Sequence, residues 1–293
     1  MAEDNSALVT GASTGIGYAT AKLLAGKGWR VFAGVRKEAD AERLLAELGP
    51  QVTPLIVDVT DAQTCRAAAE ETRAMLDGRT LSGLVNNAGI AVAGPLLHLP
   101  VEDMARQLDV NVTGQLRVTQ AFAPLLGAGE DRTGAPGRVV NISSVAGFNA
   151  TPLVTPYACS KFALEAFTQG LRRELAMYGI DVVAINPGPI ATPIWDKAEE
   201  LDPEQYAKTD YDGPIRTILG YMLSRGKTGL PSERVAEAVL RALTDRRPRL
   251  NTVVAPERLQ HALLSALPGR VADRMITRAL GLTPDALAER RRT

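Results

Sequence analysis

Ala7-Leu8-Val9-Thr10-Gly11-Ala12-Ser13-Thr14-Gly15-Ile16-Gly17 decides how this 293-residue chain folds. Its first four residues form a short apolar run of the kind that makes a buried strand. A glycine-rich turn follows, and then Ala19, Leu23 and Leu24 line one side of an amphipathic helix. Strand, glycine turn and helix together make a cradle for a dinucleotide pyrophosphate. Glycine lets the backbone approach the phosphates, and the helix start offers free N–H groups at the positive end of its dipole. The spacing is G-x-x-x-G-x-G rather than the commoner G-x-G-x-x-G, so the turn taken alone is equally consistent with punctuation between two elements.

Working outward, strand and helix signals alternate. Strands are expected at 30–35, 52–57, 81–86, 138–143, 182–186 and 250–254, and helices at 39–48, 61–77, 101–126, 157–178 and 234–243. Gly127 to Gly137 reads as a loop. This alternation predicts an α/β fold with a doubly wound parallel sheet of about seven strands, covered by helices on both faces. Such sheets bind ligands beyond the carboxyl ends of their strands, where the strand order reverses. The informative motifs all fall at such ends: Gly11, Asp58-Val59, Asn87-Ala88-Gly89, Ser143-Ser144 and Pro187-Gly188.

Composition narrows the function classes. Acidic and basic residues balance at 33 each, which gives no basic surface for nucleic acid. Only Cys65 and Cys159 are present, so no disulfide framework is expected and a reducing compartment fits. With His98 and His261 the only histidines, a zinc site has little to build it. The acidic start is unlike a secretory signal, and no apolar run reaches the ~18 residues needed to span a bilayer. A cytoplasmic location is expected.

Tyr157-Ala158-Cys159-Ser160-Lys161 carries the chemistry. Residues at i and i+4 share a helix face, which brings an ammonium toward a phenol. A free tyrosine ionises near pH ~10, and a neighbouring cation favours its phenolate. Lys161, with a positively charged nicotinamide ring, is therefore expected to lower the Tyr157 pKa and make a general acid/base of it. The plainer alternative is a surface lysine beside a core tyrosine.

Thr10-Gly11-x-x-x-Gly15-Ile16-Gly17, Asn86-Asn87-Ala88-Gly89, Asn111, Ser144, Tyr157-x-x-x-Lys161 and Pro187-Gly188 occur in the order that resembles the short-chain dehydrogenase/reductase family. The resemblance covers residues 5 to 193 closely. It implies a single Rossmann-type domain over residues 1–293, a nicotinamide cofactor, and hydride transfer between an alcohol and a carbonyl. It further implies that Gly11, Ser13, Thr14, Gly15, Ile16 and Gly17 hold the pyrophosphate and that Asp58, with Val59, contacts the adenine. Asn87, Ala88 and Gly89 would then lie under the cofactor, and Pro187, Gly188, Ile190 and Thr192 would border the nicotinamide. In the catalytic set, Tyr157 exchanges the proton, and Lys161 tunes it and holds the ribose. Ser144 bonds the oxyanion, with Ser143 as the alternative, and Asn111 positions a water that relays protons. A turn cap for Ser144, an N-cap for Asp58 and a backbone partner for Asn111 are the purely structural alternatives.

Cofactor choice turns on the end of the second strand. Val35 stands where an acidic residue would select NAD(H), and Arg36 and Lys37 follow it. A guanidinium matches a phosphate, so NADP(H) is preferred, while Glu38 keeps NAD(H) open. Residues 194–229 are expected to form a substrate lid. Its aromatic and aliphatic side chains point to an apolar alcohol or ketone of steroid, retinoid or lipid type, or else pack the lid itself. The C-terminal extension, 256–293, loosely resembles the hydroxysteroid and retinol dehydrogenase branch. Its leucines at 259, 263, 264 and 267 offer a membrane-surface alternative, but packing on the body is expected. The resemblance also implies a homodimer or homotetramer paired through helices 101–126 and 157–178. A rival function is a nucleotide-sensing or scaffold protein that lost catalysis; its usual mark is a missing tyrosine or lysine, and both are present.

Overall fold

Side chains of a strand alternate between faces, and here both faces are apolar, so each strand feeds two cores. In β1 (Ser6–Thr10) the buried Ala7 and Val9 join one hydrophobic cluster and Leu8 joins the other. β2 (Arg30–Val35) divides the same way, Val31, Ala33 and Val35 against Phe32. β3 (Val52–Ile56), β4 (Gly83–Asn86), β5 (Arg138–Ile142) and β6 (Asp181–Pro187) continue the sheet. A separate two-stranded piece pairs β7 (Ile190–Ala191) with β8 (Leu230–Pro231), and β9 (Asn251–Val254) closes the main sheet. The computed structural model describes residues 5–129, 131–192, 203–256 and 267–292.

The seven main strands are parallel, in the order β3-β2-β1-β4-β5-β6-β9. The order reverses between β1 and β4, which creates the crevice expected of a doubly wound sheet. On one face lie α1 (Gly15–Gly26) and α2 (Glu38–Leu48), contributing Leu24 and Leu44 to the first cluster. On the other lie α3 (Ala62–Leu76), α4 (Val101–Leu108), α5 (Gly114–Phe122) and α6 (Thr155–Leu175). Phe122 and Leu171 are buried there with Phe32 of the sheet. Fully buried side chains such as Leu24, Phe32 and Phe122 each contribute about 1.5–3 kcal/mol.

The expected helix over 101–126 is broken. A π turn occupies Asp109–Thr113 between α4 and α5, and a 3₁₀ turn, Ala123–Leu126, ends the segment. At Gly114 a Cβ would sit 2.8 Å from Val59 Cγ2, so α5 packs closely on the end of β3. Pro124 lies in the 3₁₀ turn, where its missing N–H costs least. The helix expected from Tyr157 starts two residues earlier, with Pro156 in its first turn.

A third cluster lies over the carboxyl ends of the strands. α7 (Asp212–Thr228) buries Ile215, Ile218, Leu219 and Met222 against Tyr206, Leu153 and Leu280. Most described apolar side chains of the expected lid thus fill a core of their own, while Tyr221 is exposed. α8 (Glu233–Thr244) packs back on the first cluster through Val235 and Val239. In the C-terminal extension, α9 (Gly269–Ala279) and α10 (Pro284–Arg290) follow Pro268, and Ile276, Leu280 and Leu282 join the third cluster. Lid residues 194–202 and Leu259, Leu263 and Leu264 lie outside the described residues. No helix among the described residues is long and apolar enough to cross a membrane.

Candidate active site

The crevice at the strand reversal opens into a cavity of about 760 Å³, with the glycine turn, the end of β2 and the start of α6 all on its wall. Gly11 and Gly15 adopt φ of +63° and +57°, conformations that only glycine takes at little cost. A Cβ on Gly11 would lie 3.0 Å from Ala88 Cα, so the turn is pressed against the end of β4. Gly17 does something different from what the motif implies. Its Cβ would fall 2.2 Å from the Gly11 carbonyl oxygen, and the residue seats α1 on the turn without lining the cavity. Thr14 precedes α1 without a side-chain cap, which leaves the first-turn N–H groups to an anion. Left-handed glycines, an uncapped helix start and a wall formed by Ser13, Thr14 and Ile16 fit a dinucleotide pyrophosphate.

Two residues hold this turn to the sheet. The backbone N–H groups of Asn87 and Ala88 donate to Thr10 Oγ1, at 2.9 and 3.0 Å. Asn87 Nδ2 returns to the carbonyls of Thr10 and Gly11, at 2.9 and 3.2 Å. The Asn87 side chain is therefore a clamp on the turn, and Gly89 leaves room for Asn111 Oδ1, 3.3 Å from where its Cβ would be.

At the far end, Arg36 and Lys37 are exposed on the cavity wall beyond β2. Asp58 and Val59 face them from the end of β3. Burial pushes the Asp58 pKa up, but hydrogen bonds from the Thr60 hydroxyl and N–H, with the charges of Arg36 and Arg117, outweigh it and hold the carboxylate below its usual range. Arg43 on α2 donates to the Ser13 carbonyl at 2.7 Å and braces the turn from outside.

At the near end, Ser144, Tyr157 and Lys161 line the same cavity with Pro187, Gly188, Ile190 and Thr192. Ser144 accepts from Ala146 N at 3.1 Å, so it does cap a turn, and its hydroxyl reaches Tyr157 as well. Ser143, 3% exposed, has a hydroxyl with no partner among the described atoms. Lys161 is 6% exposed, its Nζ donates to the Ile142 carbonyl at 2.9 Å and lies 5.5 Å from the Tyr157 ring centroid. Burial pushes the Lys161 pKa down to about 8, against a smaller upward pull from Glu165.

In the protein alone burial raises the Tyr157 pKa by disfavouring the phenolate, and the hydrogen bond from Ser144 offsets only part of this; the expected lowering requires a positively charged nicotinamide ring beside it. The Lys161 amine lies beside the ring, and its lowered pKa still leaves it largely protonated at neutral pH. Asn111 does not line the cavity. It is fully buried in the π turn, accepts from Ile90 N at 2.9 Å, and donates to Ile90 O and Ser160 Oγ, both at 3.0 Å. Its amide is spent on holding the β4 loop to α6.

Residues that the motifs did not flag also line the cavity, among them Asp40, Ile90, Arg106, Asp109 and Val110. Ile90 was within reach of sequence reasoning, since it continues the run at the end of β4. Arg106, Asp109 and Val110 were not, because they enter sideways from α4 and the π turn.

A family model described as short chain dehydrogenase matches residues 5–202. The chain is 40% identical over 276 residues to "NADPH-dependent 3-dehydrocapnine reductase" of Ornithobacterium rhinotracheale, covering 94% of this chain and 96% of that protein. It is 34% identical to "Retinol dehydrogenase 7" of Mus musculus, over 74% of this chain and 70% of that one. Among solved structures, a short chain dehydrogenase from Burkholderia cenocepacia in complex with NADP matches with a TM-score of 0.68 at 27% identity, covering 96% of this chain and 99% of that one.

Proposed function

The chain belongs to the short-chain dehydrogenase family and is an oxidoreductase, and on that premise we propose that it reduces an apolar ketone with NADPH, using Ser144, Tyr157, Lys161 and Asn111. The observation that carries the proposal is shared geometry. One cavity holds a phosphate-fitting turn, a guanidinium beyond β2, and a phenol beside an amine. The relative named as NADPH-dependent and the NADP complex support the cofactor.

Bound at the turn, NADPH would supply a hydride to the carbonyl carbon. The protein's own part is the proton. Tyr157 keeps its proton at neutral pH because burial disfavours the phenolate, which suits a donor to the oxygen of a carbonyl under reduction. Ser144 hydrogen-bonds the same oxygen as its charge develops, so its contribution is concentrated in the transition state. Lys161 lies against the ring and stabilises the tyrosine once its proton has left. Asn111 acts by position, fixing Ile90 and Ser160 around the site. Ile90, Ile142 and Ile190 on the cavity wall favour an apolar substrate.

The whole chain then works as one catalytic domain, with α7 and the C-terminal helices sharing the third cluster. Leu116 on α5 and Phe162 on α6 are exposed apolar residues, 39% and 45% accessible, and support pairing of two copies through these helices.

Oxidation of NADPH, with NADH in parallel, against ketones and aldehydes of graded chain length tests the function. Turnover that improves with apolar length and prefers NADPH is expected; no turnover with any carbonyl contradicts it. Arg36→Asp removes a charge-assisted contact worth about 2 kcal/mol and adds repulsion, so KM for NADPH should rise roughly 30-fold or more. The same variant should leave KM for NADH nearly unchanged. An unmoved NADPH KM removes Arg36 from the cofactor site.

A further inference from the structure

Glu165 sits one helical turn beyond Lys161 on α6, half-buried and away from the cavity wall. Its two carboxylate oxygens accept from different strands, Oε1 from Asn186 Nδ2 in β6 and Oε2 from Asn251 Nδ2 in β9, the latter at 3.3 Å. Asn186 is fully buried and directly precedes Pro187-Gly188, which borders the cavity. On the other side, a Cβ on Gly147 would meet Glu165 Cγ at 3.0 Å and the Lys161 carbonyl oxygen at 3.1 Å. The turn that follows Ser144 therefore rests on Glu165 as well. One side chain touches the turn after Ser144 and the strand leading to Pro187, on the helix that carries Tyr157 and Lys161.

We propose that Glu165 is a positioning residue of the catalytic centre, whose carboxylate locks β6 to α6 and supplies the negative charge that partners the Lys161 ammonium. The inference rests on the catalytic roles given above to Tyr157 and Lys161. Its charge pulls the Lys161 pKa upward, against burial. The other elements on α6 bring little that competes. The turn 145–147 and β9 hold no titratable side chain, β5 and β6 carry Arg138 and Asp181 only at their far ends, and these two pair with each other at 3.7 Å. Arg106 and Asp109 face the same cavity from α4 and the π turn, and Tyr157 from α6 itself.

Glu165→Gln keeps the size and one acceptor, for the buried Asn186 amide, while removing the charge and the acceptor for Asn251. Lys161 should then lose its proton at lower pH, and the alkaline limb of kcat should move down with it. Turnover should stay within about twofold of the unaltered protein near pH ~6.5 and fall roughly threefold or more at pH ~9. A second readout needs no catalysis: unfolding stability compared with the unaltered protein from pH ~6 to ~10. The alkaline rise in stability that follows Lys161 deprotonation should begin at lower pH in the variant. Should Glu165→Gln not fold, Asn251→Lys at the exposed start of β9 places a cation beside the carboxylate and should shift both curves in the same direction, by less. Curves that keep their pH dependence in either folded variant, or a uniform loss at every pH, overturn the assignment. If instead Tyr157→Phe is active, the catalytic reading itself has failed, independently of Glu165.

Discussion

Tyr157→Phe is expected to lower turnover by about 10³-fold while leaving NADPH affinity and thermal stability almost unchanged. Removing a positioned general acid typically costs 10²- to 10⁴-fold. Phenylalanine keeps the ring against Lys161 and loses only the hydroxyl, so the packing around the start of α6 survives. Ser144 keeps its contact with Ala146 N. The stability change is limited to a hydrogen bond between neutral groups, about 1 kcal/mol. Initial rates with a ketone that the unaltered protein reduces, alongside cofactor titration by fluorescence, separate the two effects. Turnover within tenfold of the unaltered protein would assign the proton to another group.

Lys161→Met should abolish most activity, again by about 10³-fold, yet stabilise the fold at neutral pH. The amine is nearly inaccessible, and its pKa falls from 10.5 to about 8 through burial. Holding it charged at pH 7 costs about 3 kcal/mol relative to the unfolded chain, where lysine keeps its ordinary value. Methionine has a similar length and no charge. The Ile142 carbonyl loses its donor, which offsets about 1–2 kcal/mol of the gain. The sign of the pH dependence follows from the lowered value. Below about 8 both states hold the proton and the cost is fully present; as pH rises toward 10.5 the folded state releases it first and the cost disappears. The unaltered protein should therefore gain stability over that window relative to Lys161→Met, and at its alkaline end, keeping the Ile142 hydrogen bond without the ionisation cost, it should be the more stable by about 1–2 kcal/mol. Denaturant unfolding at neutral and alkaline pH measures this. A variant less stable than the parent at pH ~7 would show that the ammonium is better accommodated than its burial implies.

What could be read from the sequence was what depends on neighbours along the chain. The glycine turn is local: Gly11 and Gly15 need positive φ and Gly17 needs space, and each shows as a glycine at fixed spacing. The strand ends were legible because apolar runs stop there, which put Asp58, Asn87, Ser144 and Pro187 around one crevice before any coordinates. The π turn was not. Its Asn111 amide reaches Ile90 and Ser160, contacts 21 and 49 residues away in sequence, while the local pattern over 101–126 reads as an unbroken helix. Burial at Tyr157 was hidden for a related reason: spacing placed Lys161 near, but how deeply the phenol is buried belongs to the folded chain. For Tyr206, Ile215 and Ile218 the sequence left pocket wall and packing both open, and only the folded chain shows that they pack on one another. Glu165 gave no signal, because a glutamate one turn past a lysine is ordinary on any exposed helix.

The most direct test of the account is a crystal structure of the protein with NADP⁺ bound. The pyrophosphate should lie on the turn from Gly11 to Ile16, the 2′-phosphate against Arg36, and the nicotinamide ring beside Tyr157 and Lys161, bordered by Pro187 and Gly188. A nicotinamide held away from Tyr157, or a 2′-phosphate turned from Arg36 into solvent, would contradict it.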